Sequence, residues 1–194
     1  KETFEFSNTD RADLEYVVLD EATTLAVEKK AAAQNVSVAS LLFASLNKMV
    51  ATELLDGEQE YYWFYPVNMR GGVTLEDETM NHSSGFNLVL NNHSSAVEIQ
   101  DIVRNKLKAQ SHWMLWKQAH IGKLIGYSGV KYVYKSLSEK NFYAGSLSYL
   151  GNWPLPDPKN SDAKKDEVFI CCGAGTKNYP ISTGVTKWYG KMSM

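Results

Sequence analysis

The chain has 194 residues, 44% of them hydrophobic and 22% charged, which is enough for one domain with a sizeable core and ordinary for a globular protein. A net charge of -2 with both signs interspersed argues against nucleic acid as a partner. No apolar run approaches the roughly 20 residues of a membrane span.

The chain opens at Lys1, with neither an initiator methionine nor a signal peptide, which points to a processed or internal start. Its two cysteines, Cys171 and Cys172, are adjacent. A bridge between neighbours strains the peptide, and the pair is neither a disulfide framework nor a Cys-x-x-Cys redox motif. It reads as two positions on opposite faces of a strand in a reducing compartment, and the expected location is cytoplasmic. Without a secretion signal, the triplets at Asn35, Asn81 and Asn92 carry no weight as glycosylation sites.

In chain order, Leu14 to Leu19 has strand character. Asp20 can cap a helix from Glu21 to about Gln34, with Leu25, Ala26 and Ala32 near one face. Asn35-Val36-Ser37 breaks it, and Ser37 can cap a second helix reaching about Leu55. Leu41, Leu42, Ala44, Leu46 and Met49 make that helix apolar around most of its surface, so it is expected to be buried on more than one side. Glu58 to Val67 reads as a strand whose run Tyr61-Tyr62-Trp63-Phe64-Tyr65 suggests burial on both faces.

A polar loop carrying Glu76-Asp77-Glu78 follows, then a strand over Gly85 to Leu90. An acidic triplet in a loop reads as a solvated turn. Ser95 and Glu98 form a capping-box pattern before a long helix with Val97, Ile99, Ile102, Val103 and Leu107 on its early face. That helix is expected to continue, with a kink, through Trp113, Trp116 and Ile121, and Tyr127 to Ser138 is a further helical piece. Phe142 to Tyr149, Val168 to Cys172 and Ile181 to Lys191 read as strands, with a proline-punctuated connection from Gly151 to Asp166. The order predicts an α+β domain, a mixed β-sheet flanked by helices.

Four segments resemble, in order and spacing, the C-terminal half of acyltransferases of the chloramphenicol acetyltransferase and condensation-domain type. They are the helix junction Gln34-Asn35-Val36-Ser37-Val38, the strand end Pro66-Val67-Asn68-Met69-Arg70, the Gly85-Phe86-Asn87 strand with its following helix, and Ser146-Leu147-Ser148-Tyr149-Leu150-Gly151. The last looks like that family's Ser-Asn-Leu-Gly strand, with Tyr149 where Asn is common. The resemblance covers nearly the whole chain and implies a single domain over residues 1–194, the C-terminal subdomain of such a protein. In the family two similar halves form a V around a solvent tunnel. The donor is an acyl thioester on coenzyme A or a carrier protein. A His from a His-His-x-x-x-Asp-Gly motif takes the acceptor's proton, and the motif's Asp pairs with an Arg in the C-terminal half.

This chain has no such motif. The resemblance therefore implies that it is inactive alone, and that the base comes from an N-terminal half of the same protein or from a second chain. Arg70 matches the supporting Arg, whose planar fork suits a carboxylate. Asn68 and Asn87 are candidates for tunnel lining or for strand-end hydrogen bonds. Ser84 and Gly85 either let backbone approach the acyl group or fit a tight strand opening. Ser146 and Ser148 are candidate donors to the oxyanion formed on the thioester carbon, or satisfied strand residues.

Other chemistry finds little footing. His82, His93, His112 and His120 lack a His-x-x-x-Asp arrangement, and an eight-residue separation of His112 and His120 does not make a helical metal pair. His82, near a strand opening, is the best placed of the four to face a tunnel. No Gly-x-Ser-x-Gly elbow is present, and Gly173-Ala174-Gly175 lacks dinucleotide-loop spacing. The alternative to an acyltransferase half is a non-catalytic binding module derived from the same fold.

Overall fold

A computed structural model describes residues 14–55, 60–70, 72–73, 82–140, 142–153, 167–171, 173, 179 and 181–194. The acidic triplet at 76–78, most of the proline-rich connection, and Cys172 lie outside these residues. The chain runs β1 (Val18–Leu19), α1 (Glu21–Ala33), α2 (Val38–Glu53), β2 (Tyr61–Asn68), β3 (Ser83–Leu90), α3 (Ala96–Lys108), α4 (Trp113–Lys140), β4 (Gly145–Asn152), β5 (Ile181–Trp188) and β6 (Lys191–Ser193). The strands form one mixed sheet in the order β1-β6-β5-β4-β2-β3, as the α+β pattern predicts.

The expected helix starts are present, each with its chemistry. Asp20 Oδ1 accepts from the Thr23 N–H at 2.7 Å, and Ser37 Oγ accepts from Ser40 N–H at 3.0 Å. Ser95 and Glu98 form a reciprocal capping box. Each cap supplies a partner to a backbone donor that the first helical turn leaves open. Between α1 and α2, Asn35 takes φ 54°, the left-handed position that ends helices, and Val36 N–H returns to the Ala31 carbonyl at 3.0 Å.

The core lies on one face of the sheet, under α2 and α3. Phe43, Val50 and Ala51 of α2 and Ile99 and Val103 of α3 meet Trp63, Phe86, Leu88, Leu147 and Val185 of the strands. The Phe43 ring stands edge-on to Trp63, with centroids 5.2 Å apart. A polar tie runs through this apolar layer. Trp63 Nε1–H donates to Asn47 Oδ1 at 2.9 Å, and Asn47 Nδ2 donates to the Asn91 carbonyl at 2.6 Å. Gln100, also buried, bridges α3 to the α1–α2 junction by accepting from Ser37 N–H and donating to the Asn35 carbonyl.

The structure corrects several details. α2 packs on the sheet and, through Leu41 and Ala44, on the cluster of Ala31, Val36 and Ala96, so it is covered on more than one side; Met49 nevertheless faces solvent. α1 buries Thr24 and Ala31 rather than Leu25, because the Thr24 hydroxyl accepts from Met192 N–H and ties the helix to β6. In β2 only the face of Tyr61 and Trp63 is fully buried; Tyr62 on the other face is 52% exposed. Val97 and Leu107 of α3 are exposed, because only the stripe of Ile99 and Val103 reaches the sheet.

The first strand is short, with Leu14, Tyr16 and Val17 exposed. Residues 167–171 are not a strand, and the last strand is a hairpin that turns at Tyr189-Gly190. α3 ends at Lys108, so His112 lies in a turn and not on a helix. α3 therefore does not continue with a kink through Trp113; α4 is a separate helix, and its own break is at Gly126, where φ 66° and ψ 179° divide it into two halves, the second starting where the sequence predicts a further helical piece.

Candidate functional site

The site is set by how two parallel strands meet. β2 and β4 pair in register only at Trp63–Gly145 and Phe64–Ser146. Beyond that point β2 follows β3 and β4 follows β5, and the two diverge. A cleft of about 290 Å³ opens between 65–68 of β2 and 147–150 of β4. Ala39 of α2, Arg70, His82 and Ser83 complete its wall. It lies at the carboxyl ends of the two parallel strands, where diverging strands leave main-chain groups that no ladder uses.

The end of β2 is shaped by a small set of hydrogen bonds. Met69 is buried and its N–H donates to the His82 carbonyl at 2.7 Å. The N–H groups of Gly72 and Val73 return to the Met69 carbonyl at 3.0 and 3.1 Å. Asn68 Oδ1 accepts from Arg70 N–H at 3.0 Å, an Asx-type turn. Together these stop the strand and hold Arg70, which is solvent-exposed, at the rim of the cleft. His82 lies in the wall and is buried.

The cleft gathers Asn68, Arg70 and Ser148 of the sequence candidates, and His82 with them. The other four sit elsewhere. Ser84 faces the core side and its hydroxyl donates to the His112 carbonyl. Gly85 packs against Phe64 and the Tyr65 carbonyl so closely that a Cβ would overlap them. Asn87, on the exposed sheet face, donates through Nδ2 to the Tyr143 hydroxyl at 3.1 Å. Ser146 is buried in β4 and hydrogen-bonds with Tyr179.

Tyr65, Ser83 and Tyr149 also line the cleft. Sequence reasoning missed them because no motif marks where two strands part. Burial pushes the Tyr65 phenol above its ordinary range, and burial, with Glu28 adding to it, does the same for Tyr149 against the opposing pull of Lys187. Both phenols therefore stay protonated at neutral pH and remain donors. Hydroxyls, amide and guanidinium form a donor-rich wall, suited to an oxygen that carries negative charge. The described lining residues include no carboxylate and no thiol, and His82 supplies the imidazole.

No protein-family model matches the chain, and no curated protein matches it. Among solved structures, the chain is similar to the epimerization domain from the third module of tyrocidine synthetase B, at 13% identity and a TM-score of 0.50. The alignment covers 92% of this chain and 40% of that one, so the chain spans less than half of its neighbour's length. At this identity the likeness speaks for the fold: a mixed sheet flanked by helices, of the condensation-like, chloramphenicol acetyltransferase-like kind.

Proposed function

We propose that this chain is the C-terminal subdomain of an acyltransferase that moves an acyl group from a thioester, on coenzyme A or a carrier protein, to a hydroxyl or amine. Its contribution is tunnel wall and structural support. The observation that carries the reading is the cleft between the diverging strands β2 and β4, rich in donors, with Arg70 at its rim. The general base comes from the other half, whether that half is part of the same protein or a second chain. Arg70 is solvent-exposed at the cleft rim, as an Arg that braces a carboxylate from another subdomain must be. The strand-end turn at Asn68–Val73 fixes where its main chain lies.

The test is to measure acyl transfer from a panel of acyl-coenzyme A and acyl-carrier donors with the chain alone, then with the natural gene product. The expectation is no turnover by the chain alone and turnover by the natural product. Turnover by the chain alone would overturn the supporting role. It would favour instead a second reading in which His82, buried in the cleft wall, is the base. His82→Ala distinguishes these, since it abolishes turnover only under the second reading. A natural product that binds acyl carriers without turnover would mark the chain as a non-catalytic module.

A further inference from the structure

α4 leaves the body of the chain. Its start is anchored, with the Trp113 ring within van der Waals reach of Gly72, and it meets the sheet at β3. Beyond that the helix carries large apolar side chains into water: Leu124 is 86% exposed, Tyr127 81%, Tyr132 76% and Ile121 56%. The left-handed residue Gly126 divides the helix, and Val130 of the second half packs beside Gly122 of the first. The halves therefore fold back on each other, with Leu124 and Tyr127 flanking the bend. Exposed apolar surface on this scale is unusual for a protein that functions without a partner.

The charge on this arm identifies the partner. α4 holds Lys117, Lys123, Lys131, Lys135 and Lys140 against one acidic residue, Glu139, although the chain has 22 acidic residues in all. A chain of net charge -2 thus carries an excess of positive charge on this exposed apolar helix. Arms of like charge repel each other, which disfavours pairing with the same arm of a second copy. No helix of the described residues is long and apolar enough to cross a membrane. Leucine, isoleucine and tyrosine at a bend, with lysines along the same helices, match the composition of interfacial helices: the apolar residues enter the acyl boundary and the lysine stems carry their charge up to phosphate headgroups.

We propose that the α4 arm is a docking element for an anionic lipid surface, with Leu124 and Tyr127 entering the interface and Lys117, Lys123 and Lys131 facing the headgroups. The proposal rests on the arm and requires that the other half of the proposed acyltransferase leave it uncovered, which flotation of the natural gene product tests separately from acyl transfer. The test is flotation with vesicles of phosphatidylcholine alone and of phosphatidylcholine with about one third phosphatidylserine, for the chain and for the natural gene product. Both are expected to float with the anionic vesicles, less so as salt rises, and poorly with the neutral ones.

Lys117→Ala with Lys123→Ala is expected to weaken partition about 25-fold, from about fivefold per lysine. Leu124→Ser with Tyr127→Ser is expected to weaken it by about a hundredfold or more. All four positions are exposed, so circular dichroism should be unchanged. Failure of either protein to float, or equal flotation with both vesicles, overturns the proposal. So does a dimer in light scattering that the serine pair abolishes, which would assign the arm to a second copy. Binding of an acidic protein partner without vesicle binding overturns it as well.

Discussion

Asn47→Ala tests whether the buried polar tie organises the core. Asn47 is 1% exposed and joins three elements: it accepts from the Trp63 indole on β2 and donates to the Asn91 carbonyl after β3, from its own place on α2. Truncation to alanine leaves a buried indole N–H and a carbonyl without these partners. An orphaned buried group costs about 1–3 kcal/mol, so two of them, with the small cavity left behind, give about 2–6 kcal/mol. In urea unfolding, with a slope of about 2 kcal/mol/M for a domain of this size, the midpoint should fall by about 1–3 M. Trp63→Phe removes one of the two bonds, and the double variant should lose less than the sum of the singles, by about 1 kcal/mol or more. A loss below about 0.5 kcal/mol for Asn47→Ala, or strict additivity, would refute the reasoning and mean that water or relaxation replaces the tie.

The cap carboxylates give a signed pH dependence. The Ser95 N–H, then its hydroxyl, hold the Glu98 carboxyl below its ordinary range, and the Thr23 N–H does the same for Asp20. A depressed folded value means the contribution is present above the ordinary carboxylate range and is lost as pH falls through the folded value. Ser95→Ala removes the hydroxyl but keeps the N–H, the larger cause, so it should raise the Glu98 pKa only part of the way toward its ordinary value in a carboxyl NMR titration; a full return to that value would count against the N–H as the main cause. Gly184→Ala should lower stability by about 1–3 kcal/mol in thermal unfolding, because its Cβ would overlap the Cys171 carbonyl and push residues 167–171 off the sheet. A wild-type melting temperature would show that this segment is not packed there. In the natural gene product, Arg70→Ala should cut turnover about tenfold to a hundredfold with little change in stability, since the side chain is exposed and positioning alone is lost. A loss of stability comparable to the Asn47 variant would instead make Arg70 structural.

Much of the local structure could be read from the chain, because caps and breakers act over four residues. Asp20, Ser37 and the Ser95–Glu98 pair begin helices for reasons complete within one turn. The aromatic run at 61–65 and the segment ending at Leu90 became strands because their side chains suit a pleated, half-buried surface. The same reading grouped Leu25, Ala26 and Ala32 on one face of α1 and could not see that the Thr24 hydroxyl would find the β6 backbone 168 residues away. It also passed over Asn47 and Gln100, polar residues in helices whose partners lie across the fold.

The candidate site divides along the same line. Pro66 to Arg70 was legible as a strand end, and Asn68 does hydrogen-bond there, to Arg70 N–H. That Asn68, Arg70, His82 and Ser148 share a cleft while Ser84, Asn87 and Ser146 face elsewhere was not legible. A strand alternates its side chains between two faces, and which face borders the cleft depends on the neighbouring strands and on where pairing stops. The sequence by itself determined most of the elements, their caps and the α+β class. The tertiary structure alone decided that β2 and β4 pair over two positions and then part, because the length of a parallel ladder is set by what each strand pairs with on its other side.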